Sequence, residues 1–400
     1  MARPALELAT LFRERGAAYR KAHRLSLEQL RVMRAIEICR TAALGGHKDQ
    51  CGQCGHIRLS YNSCRNRHCP KCQNSARAKW LADRKGELLP VEYFHVVFTL
   101  PQQIAEVAFY NAEAVYDLLF HAASETLLTI GRDPEHLGAD IGFFAVLHTW
   151  GQNLLHHPHL HCVVPGGGVS PSQERWIACR PGFFLPVRVL SRLFRRLFLE
   201  GLQRLRRKRR LHFFGNVLGL EHDQVWARSM ELLGRTEWVV YAKPPFGGPQ
   251  QAIEYLGRYT HRVAISNQRF IDIANGQVKF RWKDYHHGHK RKSRTMILAA
   301  DEFIRRFLIH VLPPGFQRIR HFGFLANCHR KRCLPMVRRL VCSPATELLP
   351  EGSRCKQMLA EMPALFSPWV CHQCGSEAMR PIELLPAYRW PAQPPPPDSS

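Results

Sequence analysis

Acidic residues are scarce in this chain. Its 32 Asp and Glu stand against 57 Lys and Arg, a net charge of +25, and the sequence pI is ≈ 10.0. An imbalance of that size excludes a neutral, charge-balanced surface and predicts a polyanionic partner, nucleic acid before an acidic membrane. There is no run of about 18 apolar residues of the kind that crosses a bilayer, and Met1-Ala2-Arg3-Pro4-Ala5-Leu6-Glu7 lacks an apolar signal core. The expectation is a soluble intracellular protein with no membrane partner. Also missing is a Gly-x-x-x-x-Gly-Lys-Ser/Thr phosphate loop, so no use of ATP is expected. No internal repeat is present.

What the chain does have is length and cysteine. Four hundred residues, 45% of them hydrophobic, supply at least one sizeable core and two or three domains. Several of the fourteen cysteines fall in Cys-x-x-Cys pairs, which in a reducing compartment argue for metal rather than disulfides.

Apolar residues at three- and four-residue spacing predict helix over residues 5–46, followed by a Cys/His cluster at 47–73 and a basic helix over 76–89 that Pro90 ends. Aromatic and β-branched residues predict a strand at 93–100, and further strands at 143–149 and 159–164, with helix over 102–130 between. A helix over 185–210 turns strongly basic at its end, and a short strand follows at 237–242. Segments 262–273 and 277–283 flank Asn275-Gly276, a hairpin turn signal. Basic helices near 301–312 and 329–341 precede a Pro-rich tail expected to be disordered. The pattern predicts α/β or α+β architecture for 90–310. The expected divisions are a helical zinc-binding module at 1–89, a catalytic domain at 90–312, a basic region at 313–380 and the tail at 381–400.

Cys51-x-x-Cys54 and Cys69-x-x-Cys72 stand 14 residues apart, close to zinc-ribbon spacing, and predict one tetrahedral structural Zn2+ site of four thiolates. Cys64, His68, His47 and His56 are alternative ligands. The basic neighbours Arg58, Arg65, Arg67 and Lys71 are candidate DNA contacts. Cys371-x-x-Cys374 is half of a possible second zinc site, with Cys342, Cys355, Cys328 or Cys333 as completing partners.

On a strand, His159 and His161 point to one face, with Leu160 toward the core. Two imidazoles so placed can chelate a metal, which a phosphate and water can complete as Mg2+ or Mn2+. Gln152 is the first candidate for a third ligand, followed by His148 and His157. Tyr255 and Tyr259 stand one helical turn apart, each with an arginine three residues on, Arg258 and Arg262. Such a guanidinium favours phenolate and binds a phosphate oxygen. Metal with paired tyrosine nucleophiles predicts cutting and rejoining of single-stranded DNA through 5′-phosphotyrosine links that conserve bond energy. Two basic runs, with Arg206, Arg207 and Arg209 in one and Lys290, Arg291 and Lys292 in the other, are read as contacts to the DNA backbone.

Read together, these motifs resemble a known family, the two-tyrosine HUH transposases of rolling-circle insertion sequences that carry an N-terminal zinc-binding domain. The likeness rests on Tyr61–Cys72, Phe94–Pro101, His157–His161, Tyr255–Ser266 and Arg318–Asn327. The resemblance implies an α+β fold with a central Rep-like antiparallel sheet carrying the histidines. It implies His159 and His161 as ligands of a catalytic Mg2+ or Mn2+, and Tyr255 and Tyr259 as nucleophiles. It further implies nicking and joining of single-stranded DNA at element ends, and a bacterial cytoplasmic, nucleoid-associated location. The C-terminal Cys-x-x-Cys departs from the pattern in having no evident partner. The competing readings are a plasmid replication initiator or relaxase with the same chemistry, and a zinc DNA-binding protein without catalysis.

Overall fold

A computed structural model describes residues 6–243, 257, 263–284, 292–342 and 370–388. Among these, the strands are β1 (Gly46–Cys51), β2 (Ile57–Tyr61), β3 (Tyr93–Thr99), β4 (Gly142–Trp150), β5 (His156–Pro165), β6 (Gly167–Val169), β7 (Trp176–Ala178), β8 (Val240–Lys243), β9 (Phe270–Ala274), β10 (Gln277–Asp284), β11 (Lys292–Ala299), β12 (Ile319–Gly323) and β13 (Met379–Leu385). The labelled helices are α1 (Leu8–Ala22), α2 (Leu27–Glu37), α3 (Pro70–Lys85), α4 (Gln102–Tyr110), α5 (Ala112–Arg132), α6 (Val187–Arg207) and α7 (Asp223–Arg235), with two more at Ala300–Leu308 and Arg330–Val341. The class is α+β.

The central sheet has five antiparallel strands in the order β12-β4-β5-β3-β8. Alternation along its strands creates two unlike faces. One presents Phe94, Val96, Phe98, Phe143, Ala145, Leu147, Leu160, Cys162 and Val164 to α5 and α6, and forms the largest core. The other carries Tyr93, His95, Phe144, Val146, His148, His159, His161 and Val163. Helix α3 covers part of it, with Trp80 edge-on to Phe144 at 5.6 Å between ring centres.

Helix α3 opens at Pro70, six residues before the expected start at 76, since a helix's first position has no use for the N–H that proline lacks. Ser26 and Gln29 form a reciprocal cap that separates α1 from α2. Asn275 and Gly276 both have positive φ (52° and 73°), as the predicted tight hairpin requires, and join β9 to β10.

Among the described residues, the N- and C-terminal segments pack against other parts of the chain. Leu8, Leu11 and Phe12 of α1 share a core with Phe270, Phe280, Phe303 and Phe307, so a division at residue 89 cuts through packed side chains. Strand β13 pairs with β1 in a three-stranded sheet of order β13-β1-β2, which brings the C-terminal segment back to the N-terminal hairpin. Residues 381–385, expected as disordered tail, are therefore strand. The amphipathic α7 and the edge strands β11 and β12 were not foreseen.

Candidate metal and nucleic-acid site

Three imidazoles converge on the α3-facing side of the central sheet. His148 on β4 lies directly opposite His159 on β5, and His161 follows two residues later on the same face. Ring centres are 5.5 Å apart for His148–His159, 4.5 Å for His148–His161 and 4.8 Å for His159–His161. One nitrogen from each lies within 4.8 Å of the others, a separation a single cation can span. His148 and His161 are buried, and His159 is half-buried.

The protons on these rings follow from their partners. His159 Nδ1 lies 2.6 Å from the His157 carbonyl oxygen, which can only accept; Nδ1 therefore carries hydrogen and Nε2 the lone pair. His161 Nδ1 lies 2.8 Å from Nε2 of buried His95 on β3. If Nδ1 donates there, His161 Nε2 becomes the lone-pair atom, and His95 must be the Nδ1–H tautomer. His95 shares the face because it lies two residues before Val97, the cross-strand partner of His161, and so sits diagonally across from His161. It was missed in the sequence because a lone histidine in an apolar strand carries no spacing signal.

Strand register brings a third imidazole beside the two motif histidines. Gln152 lies in the turn after β4, where its main-chain carbonyl accepts from Arg269 at 2.5 Å. His148 lies beside the motif pair, since antiparallel register puts it opposite His159. His157 is exposed and contributes its carbonyl.

Arg269 also donates to the main chain of Arg281 and Ala264, binding the segment that begins at Val263 to the turn between the histidine strands. Tyr255, Arg258, Tyr259 and Arg262 lie outside the described residues, but Gly257 between the tyrosines is described. It is helical and buried, and a Cβ there would come within 2.7 Å of the Leu81 side chain on α3.

The cysteines sort into two groups of four, which corrects the single predicted cluster. Cys69 and Cys72, at the start of α3, join Cys64 and Cys39; Cys39–Cys72 and Cys64–Cys72 sulfur distances are both 3.5 Å. Cys51 and Cys54 instead meet Cys371 and Cys374. The two Cys-x-x-Cys pairs predicted to share an ion sit in different elements, the β1–β2 turn and the first turn of α3. Cys39 was missed because it closes α2 outside any Cys-x-x-Cys motif. Of the alternative ligands, His68 is buried and accepts from the Leu312 N–H at 3.4 Å, and burial holds its pKa well below the usual histidine value. His47 faces Asp49 at 3.5 Å.

Several cations read as DNA contacts are engaged internally. Arg67 donates to the carbonyls of Phe316, Leu312 and Pro313, which lie beyond the helix Ala300–Leu308. Lys71 pairs with Glu7 at 2.6 Å. Arg206 binds Asp223 and the Glu221 carbonyl and lies 4.6 Å over the Trp226 ring. Arg65, Arg207 and Arg209 are exposed. Lys290 and Arg291 lie outside the described residues, and Lys292 begins β11.

Comparison with known proteins identifies a family. Residues 142–332 match a family described as "Putative transposase", and residues 11–100 match one described as "Transposase zinc-binding domain". The chain is 62% identical to "Putative transposase y4qJ" of Sinorhizobium fredii over 85% of this chain and 85% of that protein. It is 29% identical to "Transposase for insertion sequence element IS801" of Pseudomonas savastanoi pv. phaseolicola, over 84% of this chain and 80% of that one. No solved structure matches the chain.

Proposed function

Since the chain belongs to the family of insertion-sequence transposases with an N-terminal zinc-binding domain, we propose that it moves DNA by metal-assisted tyrosine transesterification on single strands at element ends, by a rolling-circle route. His148, His159 and His161 would hold a divalent cation in this reading; their nitrogen donors are poor ligands for Mg2+, and Mn2+ is the better fit of the two expected ions. The cation, when bound, supplies positive charge at a phosphoryl oxygen and helps fix the scissile phosphate.

Everything else falls to the protein's own groups. The phenolate of Tyr255 or Tyr259 attacks phosphorus, and Arg258 and Arg262 favour that phenolate and bind phosphate oxygens. The bond from phosphorus to the 3′-oxygen breaks, and that oxygen leaves with a proton as a 3′-hydroxyl. The 5′ end remains on tyrosine as a phosphodiester, so the reverse attack by a 3′-hydroxyl rejoins DNA without ATP. Two tyrosines allow two successive cleavages. Cys39, Cys64, Cys69 and Cys72 hold a structural Zn2+ that fixes the start of α3 over the histidine face.

The observation that carries this reading is the trio of histidines on the side of the sheet that α3 partly covers, with Gly257, the residue between the tyrosines, close to Leu81 of that same helix. The test uses labelled single-stranded oligonucleotides of the element ends with Mg2+ or Mn2+, resolved on a denaturing protein gel. A labelled band at the protein's mass is expected, lost with EDTA and in the Tyr255→Phe/Tyr259→Phe double variant. DNA binding without any covalent band, with either metal, favours a zinc DNA-binding protein without this chemistry.

A further inference from the structure

The hexapeptides Cys51-Gly52-Gln53-Cys54-Gly55-His56 and Cys371-His372-Gln373-Cys374-Gly375-Ser376 repeat one pattern more than three hundred residues apart, and they fold alike. Gly55 (φ +71°) returns its N–H to the Cys51 carbonyl at 3.0 Å, and Gly375 (φ +74°) does the same to Cys371 at 2.9 Å. Cys51 N–H reaches the His56 carbonyl at 2.9 Å, and Cys371 N–H reaches that of Ser376 at 2.7 Å. Both are therefore the tight knuckles that turn two thiols toward one point, with glycine taking the left-handed position.

The knuckles face each other. Cys51 and Cys374 sulfurs are 3.6 Å apart, and Cys54 and Cys371 sulfurs 3.7 Å. Tetrahedral zinc with bonds of about 2.3 Å separates its sulfurs by roughly 3.8 Å, whereas a disulfide needs about 2.05 Å. The thiols thus stand at the separation of ligands around one ion.

Among the described residues the surrounding sheet has little apolar core. Its buried hydrophobic cluster is Cys51, Cys371 and Met379, while Ile57, Leu59, Ile382 and Leu384 are exposed. A small element with so little core is ordinarily stabilised by metal or cross-links. Main-chain contact adds specificity: Gly52 N–H donates to the Ala378 carbonyl at 2.9 Å, and a Cβ on Gly45 would meet the Leu385 carbonyl oxygen at 2.5 Å.

We infer that Cys51, Cys54, Cys371 and Cys374 bind a second structural zinc ion that staples the C-terminal segment to the N-terminal hairpin. This ion is separate from the one assigned to Cys39, Cys64, Cys69 and Cys72, and the inference stands apart from the cleavage chemistry.

The full chain, purified without chelators, should hold two zinc ions by mass spectrometry of the metal, and the Cys371→Ser/Cys374→Ser variant one. One ion in the wild type, or two in the variant, overturns the proposal. Should that variant fail to fold, a protease site inserted between residues 356 and 357 of the wild-type sequence decides the matter. After cleavage, the C-terminal fragment should co-elute with the body until EDTA removes the metal. Its release with two zinc ions still bound to the body also overturns the proposal.

Discussion

Nε2 of His95 lies 2.8 Å from Nδ1 of His161, so a histidine on β3 sets the ring orientation of a proposed metal ligand on β5. Partners of this kind typically contribute about 10–100-fold to metal affinity. His95→Ala should weaken Mn2+ binding by that factor in calorimetric titration while leaving zinc content unchanged. Unaltered Mn2+ affinity would refute the positioning role.

The third ligand is distinguishable by substitution. His148→Ala should abolish formation of the covalent DNA adduct and weaken Mn2+ binding, because it removes one of three donors. Gln152→Ala should keep most of both, since its recorded contact is through the main chain. The opposite pattern would return Gln152 to the metal.

Gly257→Ala should slow adduct formation, because the added methyl meets Leu81 at 2.7 Å. Overpacking of this kind costs roughly 1–3 kcal/mol where neighbours cannot yield. Leu81→Ala in the same chain should restore much of the rate. Absence of rescue would mean that the glycine acts through backbone conformation alone.

The basic helix end separates into structural and exposed cations. Arg206→Ala should lower Tm, losing its ion pair and its stacking on Trp226, at a cost of roughly 1–2 kcal/mol. Arg207→Ala/Arg209→Ala should leave Tm nearly unchanged and flatten the salt dependence of single-strand binding, by about 0.7 log units per lost phosphate contact. A salt slope identical to wild type would remove this helix end from the DNA path.

Stability should fall on mild acidification. Burial lowers the pKa of His156 to about 4 and of His310 to about 3, against about 6.5 for the unfolded chain. Below pH 6.5 the unfolded state binds protons that the folded state refuses. Stability is thus fully present above that value and declines toward pH 4, by about 1.4 kcal/mol per pH unit for each histidine. The hydrogen bonds agree with neutral rings: His156 Nδ1 donates to the Ala105 carbonyl and Nε2 accepts from Tyr116, while His310 Nε2 donates to Leu154 and Nδ1 accepts from Thr149. Thermal melts at pH 7, 6 and 5 test this, and His310→Asn should reduce the slope.

Local signals in the chain alone determined a good deal. Alternation identified β3, β4 and β5 and the shared face of His159 and His161, because side-chain direction on a strand depends only on parity. Asn275-Gly276 specified its hairpin, and the excess of Lys and Arg pointed to nucleic acid. The Cys-x-x-Cys pairs announced metal, since each knuckle is built from consecutive residues.

Tertiary structure decided which of these pieces meet. His148, one of three candidates in the sequence, came to face His159, and His95 came to support His161, only through strand register, which sequence spacing does not encode. Arg67 and Arg206 turned inward because carbonyls and an aromatic ring distant in sequence lie beside them. The knuckle at Cys51 chose Cys371 over Cys69 because β13 pairs with β1 while α3 turns away toward the histidine face. A knuckle defines two ligands by itself; its other two depend on how the whole chain closes.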